Sequence, residues 1–353
     1  MLKFNCGRRK RKVLKFSVIF KTVKMTCLYR RMILSRSRVA SASAPITEVL
    51  SVNHPRGFAT SINYVPQHKP VRSEDVEPLI EFVQSSKNLF VITGAGVSTE
   101  SGLPDYRSEG TGLVARRPNF KPTNYQDFMK KESTRRIYWA RSFTAWNYQT
   151  QRKPNITHYT LANWEDRGKI GCLVTQNVDR LHQKAGSKKI IELHGTLFEV
   201  RCMGCENIID RCHFQEILTK ANKSLINLDF EAAALRPDGD IELSKEVSQN
   251  FQVPACEKCG SGILKPDVVF YGENLPLGKK DEVRQELEKC DSLLVLGSTL
   301  HTRSGRDHVE YAFKKGIPIG LINIGPSFGD NVATFKINSK CGEVMSIVAQ
   351  ELL

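Results

Sequence analysis

Short apolar runs recur along the chain with room for a helix between them: Leu89-Phe-Val-Ile92, Cys172-Leu-Val-Thr175, Ile190-Ile191, Val268-Val-Phe270, Leu293-Leu-Val-Leu296 and Ile319-Gly-Leu-Ile322. They are too short for buried helices and lack the apolar–polar alternation of a strand with one wet face. They therefore read as buried parallel strands. Helical patterns lie between them, as at Lys280 to Cys290 and His308 to Lys315. Such alternation folds into an open α/β architecture, a doubly wound, parallel, Rossmann-like sheet. No internal repeat interrupts it.

Two stretches depart from the pattern. Residues 124–167 are helical in character, anchored by Trp139, Phe143, Trp146 and Trp164, and are expected to form a small helical module. Residues 200–260 are bracketed by cysteine pairs and contain the loop-like Arg236-Pro-Asp-Gly-Asp240, so they read as an insertion. The expected plan is a basic leader and linker over 1–70, a sheet domain over 71–199 and 261–353 that carries the helical module, and a zinc-binding insertion over 200–260. The smaller, zinc-ribbon and helical domain would thus be discontinuous.

A chain of 353 residues with 40% hydrophobic content can bury a substantial core, which excludes disorder throughout. No apolar run approaches the roughly 18 residues that span a bilayer, because Lys15, Lys21 and Lys24 divide the longest candidate. The formal net charge of +15 suggests nucleic acid until its distribution is examined. Residues 1–60 carry +13 of it and hold a single acid, Glu48, so the remainder is nearly neutral. A basic, acid-poor, Ser-containing leader resembles a mitochondrial transit peptide and points to the matrix. Arg8-Arg9-Lys10-Arg11-Lys12 keeps a nuclear-import reading open, although a start at Met25 or Met32 would remove it.

The first strand runs into Thr93-Gly-Ala-Gly-Val-Ser-Thr-Glu-Ser-Gly-Leu-Pro-Asp-Tyr-Arg107. A glycine-rich turn between a parallel strand and a helix offers backbone N–H groups to a pyrophosphate, and Gly94 and Gly96 lack the Cβ that would hold phosphate off. A dinucleotide is the expected ligand. The spacing of Gly94, Gly96 and Gly102 differs from the G-x-G-x-x-G of hydride-transfer enzymes. Asp105, Tyr106 and Arg107 follow, placed to close over a nicotinamide ribose.

The second strand delivers Gln176-Asn-Val-Asp179 to its C-terminal edge, where open α/β sheets bind ligands. The third delivers His194-Gly195 to the same rim. Histidine suits proton transfer near neutrality, and Gly195 would leave its ring room to face a pocket. His194 is therefore the candidate base, with His158, His182 and His308 read as structural.

Cys202-Met-Gly-Cys205 and Cys256-Glu-Lys-Cys259 supply two thiolate knuckles. Four thiolates close a zinc tetrahedron without a position for water, so the metal would be structural. The 50 residues between the pairs are more than a ribbon needs, and they hold Cys212 and His213 as substitute ligands.

With these motifs followed in order by Lys265-Pro-Asp-Val-Val-Phe-Tyr-Gly272, Gly297-Ser-Thr299 and Asn323-Ile-Gly325, the chain resembles the sirtuins over roughly residues 75–350. The long insert and Phe251-Gln-Val-Pro254 are most similar to the mitochondrial sirtuin-four type. The resemblance implies an NAD-consuming protein lysine deacylase. Nicotinamide leaves as the acyl oxygen attacks C1′ of the ribose, His194 then acts as base on the ribose hydroxyls, and the products are free lysine, nicotinamide and O-acyl-ADP-ribose.

The same resemblance implies that Gly94, Ala95, Gly96, Ser98, Asp105, Tyr106 and Arg107 hold the pyrophosphate and nicotinamide end. Gln176, Asn177 and Asp179 would orient the ribose, with Asn177 and Asp179 sharing the catalytic work of His194. Gly297, Ser298, Thr299, Asn323, Ile324, Gly325 and Cys341 would contact the adenosine half, and Val268 and Val269 would line the peptide channel. Tyr138-Trp-Ala-Arg141 resembles the Tyr-x-x-Arg with which desuccinylating sirtuins read an acyl carboxylate, and predicts acidic, branched or lipoyl-type acyl groups over acetyl. Mono-ADP-ribosyl transfer is a further implied activity. The implied partners are acyl-lysine proteins, mitochondrial metabolic enzymes among them, with no nucleic acid and a monomeric enzyme. Two other classes remain open at this point: an NAD-dependent oxidoreductase, and a non-catalytic zinc-ribbon interaction module.

Overall fold

The computed structural model describes residues 64–116, 120–223, 243 and 248–352. The leader and Arg236 to Asp240 lie outside them. Six strands form one fully parallel sheet: β1 (Leu89–Thr93), β2 (Ile170–Thr175), β3 (Ile190–Glu192), β7 (Ser292–Leu296), β8 (Ile319–Ile322) and β9 (Phe335–Ile337). The order is β3-β2-β1-β7-β8-β9. Strands β1, β7 and β8 are buried at every position, which is why their sequences run apolar without alternation.

Helices cover both faces of this sheet. On one, α1 (Ser73–Ser85), α5 (Ile156–Asp166) and α10 (Cys341–Glu351) bring Val76, Leu79, Leu161, Trp164, Val344 and Val348 against Leu89, Val91, Leu173 and Leu294. On the other, α8 (Lys279–Leu287) and α9 (Arg303–Lys314) pack Val283, Leu287, Val309 and Ala312 against Phe90, Ile92, Leu293 and Val295. Along β1 and β7 successive residues alternate between the two cores, as the period of two requires.

A second, antiparallel sheet joins β4 (Gly195–Cys202), β5 (Ile208–Asp210) and β6 (Leu264–Val268) in the order β5-β4-β6. This corrects the reading of Val268 to Phe270 as a buried parallel strand. β6 belongs to the small sheet, and its apolar residues face a core made with α3 (Tyr125–Lys130), α4 (Glu132–Thr150) and α7 (Arg211–Ala221). The small sheet also reaches beyond residues 200–260 at both ends. The helical segment divides: α3 and α4 join the small sheet through Phe128, Trp139, Phe143 and Trp146, while α5 covers the large one through Leu161 and Trp164. Trp139 fixes the first of these docks by donating its Nε1–H to the Leu264 carbonyl at 2.9 Å. Phe251 fills the same core, fully buried and tilted against Phe143. Among the described residues no helix is long and apolar enough to cross a membrane.

Candidate active site and metal centre

β1 has β2 on one side and β7 on the other, and the chain leaves β1 toward β2 while β7 opens the other half of the sheet. The crevice beyond the C-terminal ends of β1 and β7 is therefore the topological switch point, where doubly wound sheets bind nucleotides. Gly94–Gly96, Gln176–Asp179 and Gly297–Thr299 all leave strands at this edge.

Gly94 and Gly96 matter here for a reason that the sequence did not reveal. A Cβ on Gly94 would come within 2.7 Å of the Gly297 carbonyl, and one on Gly96 within 2.8 Å of Gly297 Cα. The Gly94 N–H donates to Leu296 O and the Gly96 N–H to Gly297 O, at 3.0 and 2.9 Å. These two glycines thus let the β1 and β7 loops touch, rather than simply clearing space for phosphate. Gly102 ends the following 3-10 helix (Ala95–Ser101) in the left-handed region.

Below the crevice lies a connected polar network. Asn177 donates its amide to Gly94 O at 3.0 Å and to Ser98 Oγ at 3.2 Å, while Ser98 donates to Asp179 Oδ2 at 2.8 Å. Asp179 also accepts the Leu181 N–H. Burial raises the Asp179 pKa, opposed by those two donors. Gln176 reaches across the switch point and donates to Ser298 Oγ at 2.8 Å.

Asp105 is turned inward: its carboxylate accepts the Arg107 and Ser108 N–H groups and the Ser108 hydroxyl, so it shapes the loop that presents Tyr106 and Arg107. Asn323 folds its amide back onto Ile324 O and Gly325 O. Thr299 O accepts the Phe328 N–H, which ties the β7 and β8 loops together. Cys341 is buried at the start of α10, and burial pushes its thiol far up, so it is a packing group with no thiolate character.

His194 sits half-buried where the two sheets meet. Its Nδ1 lies 3.0 Å from the Gln176 carbonyl oxygen, which can only accept, so Nδ1 carries the proton and Nε2 keeps its lone pair. Enclosure lowers its pKa, opposed by the Gln176 contact, and the ring is neutral at pH 7. Gly195 has φ of +77°, and a Cβ there would stand 1.9 Å from Asp267 O. Its role is thus to let β4 turn against β6, beyond the simple clearance that the sequence suggested. His194 O accepts the Val269 N–H at 2.9 Å, which brings the main chain just after β6 against that of His194.

One neighbour went unrecognised in the sequence. Ser304 Oγ is 2.8 Å from His194 Nε2. Nothing in Thr302-Arg-Ser-Gly305 signals this, because the contact spans 110 residues.

Tyr138 is buried, edge-on to Phe128 and Phe270. Phe270 lies two residues past the end of β6, so Tyr138 approaches that end from within the small-domain core, and Arg141 is half-buried one turn further along α4. His158 and His182 stack in the core with their pKa values lowered by burial, His182 to about 3; burial likewise takes buried His308 down to about 4.

The four sulfurs of Cys202, Cys205, Cys256 and Cys259 lie within 4.8 Å of one another, with Cys202–Cys259 at 3.6 Å and Cys205–Cys256 at 3.8 Å. A tetrahedron of thiolates about 2.3 Å from zinc has edges of about 3.8 Å. The residues fit that metal. A Cβ on Gly262 would fall 2.1 Å from Cys202 Sγ, so the second knuckle closes only with glycine there. Cys212 and His213 stand on α7, outside the cluster.

The model of the Sir2 family matches residues 94–304. The "NAD-dependent protein deacylase Sirt4" of Drosophila melanogaster is 45% identical over 284 residues, which cover 80% of this chain and 89% of that protein. The chain belongs to the Sir2 family. The human "NAD-dependent protein lipoamidase sirtuin-4, mitochondrial" is likewise 45% identical, with 81% of this chain and 89% of that protein covered. A solved Sir2 structure, "Sir2-p53 peptide-NAD+", superposes with a TM-score of 0.60 at 28% identity, over 78% of this chain and 98% of that one. Its peptide and NAD are that protein's. In this Sir2-family chain the polar side chains Gln176, Asn177 and Asp179 gather at the switch point, where doubly wound sheets bind dinucleotides.

Proposed function

We propose that the chain is an NAD-dependent protein deacylase of the sirtuin-four type that acts on acyl-lysine proteins. The observation that carries this reading is the neutral imidazole of His194, with its Nε2 lone pair at the switch-point rim and its backbone bonded to Val269. NAD supplies the reactive C1′ of its nicotinamide ribose. The loop Gly94–Gly96 with Ser98, Tyr106 and Arg107 holds the pyrophosphate and nicotinamide end, and Asp105 keeps that loop in shape. Gln176, Asn177 and Asp179 orient the ribose; Gly297, Ser298, Thr299, Asn323, Ile324, Gly325 and Cys341 wall the adenosine half.

His194 takes a proton from a ribose hydroxyl at Nε2 while Nδ1–H stays on the Gln176 carbonyl, which spreads the charge of the imidazolium. Val268 and Val269 carry the peptide. The zinc held by Cys202, Cys205, Cys256 and Cys259 keeps the small sheet folded. Its four sulfurs stand at the opposite end of β4 from His194, so a metal there would take no part in proton transfer.

Support for an acidic, branched or lipoyl-type acyl preference comes from Tyr138, whose ring adjoins Phe270 at the end of the channel strand, and from Arg141 one turn on. The lipoamidase name of the human relative agrees with it. Mono-ADP-ribosyl transfer uses the same pocket when another nucleophile meets C1′. A matrix location rests on the acid-poor leader and on the mitochondrial relative.

The test is incubation with NAD and a panel of acyl-lysine peptides. Free nicotinamide with no near-ultraviolet absorbance of reduced cofactor is expected; the reverse would make the chain an oxidoreductase. Within the panel, glutaryl or lipoyl peptides turn over faster than acetyl, and Arg141→Ala narrows the difference. Faster acetyl cleavage, indifferent to that substitution, removes the acyl preference.

A further inference from the structure

The first turn of α9 is built onto the two residues that would manage the ribose proton. Thr302, at the N-terminal cap, leaves its own helix uncapped and donates its hydroxyl to Gln176 Oε1 at 3.2 Å. Gly305 allows the close approach, since a Cβ there would stand 2.9 Å from the same oxygen. Between them Ser304 meets His194 Nε2 at 2.8 Å. Because the Gln176 carbonyl fixes the proton on Nδ1, the serine hydroxyl must donate to Nε2.

We propose that Ser304 is a positioning residue for His194: with Gln176 O it holds the imidazole at both nitrogens, and it keeps the Nε2 lone pair occupied and the ring plane fixed until the ribose hydroxyl replaces it. This rests on the assignment of His194 as the base. When the ribose hydroxyl arrives, the serine O–H turns away and the ribose O–H takes its place. The ribose O–H bond then breaks as the Nε2–H bond forms, and Nδ1–H remains on the carbonyl throughout. Without the serine the ring keeps one anchor and its plane is free to swing about that bond. A hydroxyl donating to a neutral imidazole also favours the neutral ring, in the same direction as enclosure does.

The experiment uses the full chain with and without Ser304→Ala and Ser304→Thr, and reads three quantities. In the free enzyme labelled with 15N-histidine, the Nε2 resonance of His194 is expected at a hydrogen-bonded position in the parent and in Ser304→Thr, and displaced toward that of an unbonded lone pair in Ser304→Ala. Loss of the second anchor leaves the ring misaligned as the ribose hydroxyl arrives and lowers kcat for deacylation about tenfold. KM for NAD and nicotinamide exchange, which precede the proton transfer, stay within about twofold, and Ser304→Thr recovers most of the rate.

An unmoved Nε2 resonance with kcat of Ser304→Ala within about twofold of the parent overturns the proposal. So does a proportional fall in exchange and deacylation, which marks general loosening. His194→Tyr, run alongside, separates the layers: if it deacylates like the parent, the base assignment itself is wrong, whereas an inactive His194→Tyr beside an unaffected Ser304→Ala condemns only the serine.

Discussion

The two sheets treat their polar ends in opposite ways. At the rim of the parallel sheet, Gln176, Asn177, Asp179 and His194 are held by backbone groups and by the hydroxyls of Ser98, Ser298 and Ser304. At the far end of the antiparallel sheet four sulfurs turn toward one shared point. The first arrangement orients donors and acceptors for something that comes and goes. The second is complete only around a resident cation. His194 lies in the first, so the proposed base and the four sulfurs stand at opposite ends of β4.

Removing the metal is the largest disturbance and tests this separation directly. Structural zinc contributes on the order of 10 kcal/mol of apparent folding free energy, so Cys256→Ser or prolonged chelation should unfold the small sheet. Hydrogen exchange then shows loss of amide protection at Val200, Ile209 and Leu264 while Val91, Leu173 and Leu294 stay protected. Equal loss in both sheets would mean that they are one cooperative unit.

His194→Tyr should cost about 10³-fold in deacylation, within the range for a general base, and leave zinc content unchanged. Parental turnover would move the catalytic centre elsewhere. Gly195→Ala acts on the hinge between the regions: with φ of +77° and a Cβ 1.9 Å from Asp267 O, the strain is predicted to remove about 2–3 kcal/mol of stability. A thermal scan that places Gly195→Ala beside the parent would refute this.

The last effect is absent at neutral pH, appears only in acid and belongs to the parallel sheet. His158 and His182 are neutral in the native core with pKa values held down by burial, His182 to about 3. Unfolded histidine titrates near 6.5, so below that pH the unfolded chain binds the extra protons. Stability is full above about pH 6.5 and falls by about 1.4 kcal/mol per pH unit per histidine as pH drops toward the native values. Urea midpoints measured from pH 7 to 5 check this, and His182→Gln should flatten the slope.

How much of the site was readable depends on how far its groups lie apart along the chain. Gln176-Asn-Val-Asp179 stood out because strand, turn and polar cluster are contiguous, and the cysteine knuckles because each spans four residues. Gly94, Gly96 and Gly195 were read as clearance for a ligand or a ring, and the contacts that exclude a Cβ there escaped the sequence because their neighbours at Gly297 and Asp267 lie about 70 to 200 residues distant. Val268 to Phe270 looked like any other apolar strand, because a run buried on one sheet reads the same as a run buried on another.

Local sequence alone determined the strand–turn–helix units and the four clustered cysteines, and it singled out His194 as the candidate base, since hydrophobic period and short-range spacing carry that information within a few residues. Tertiary structure decided which sheet β6 joined, that α4 and α5 cover different cores, and that Ser304 meets His194. Those outcomes depend on side-chain burial and hydrogen bonding between segments remote in the chain, which leave no period or spacing behind.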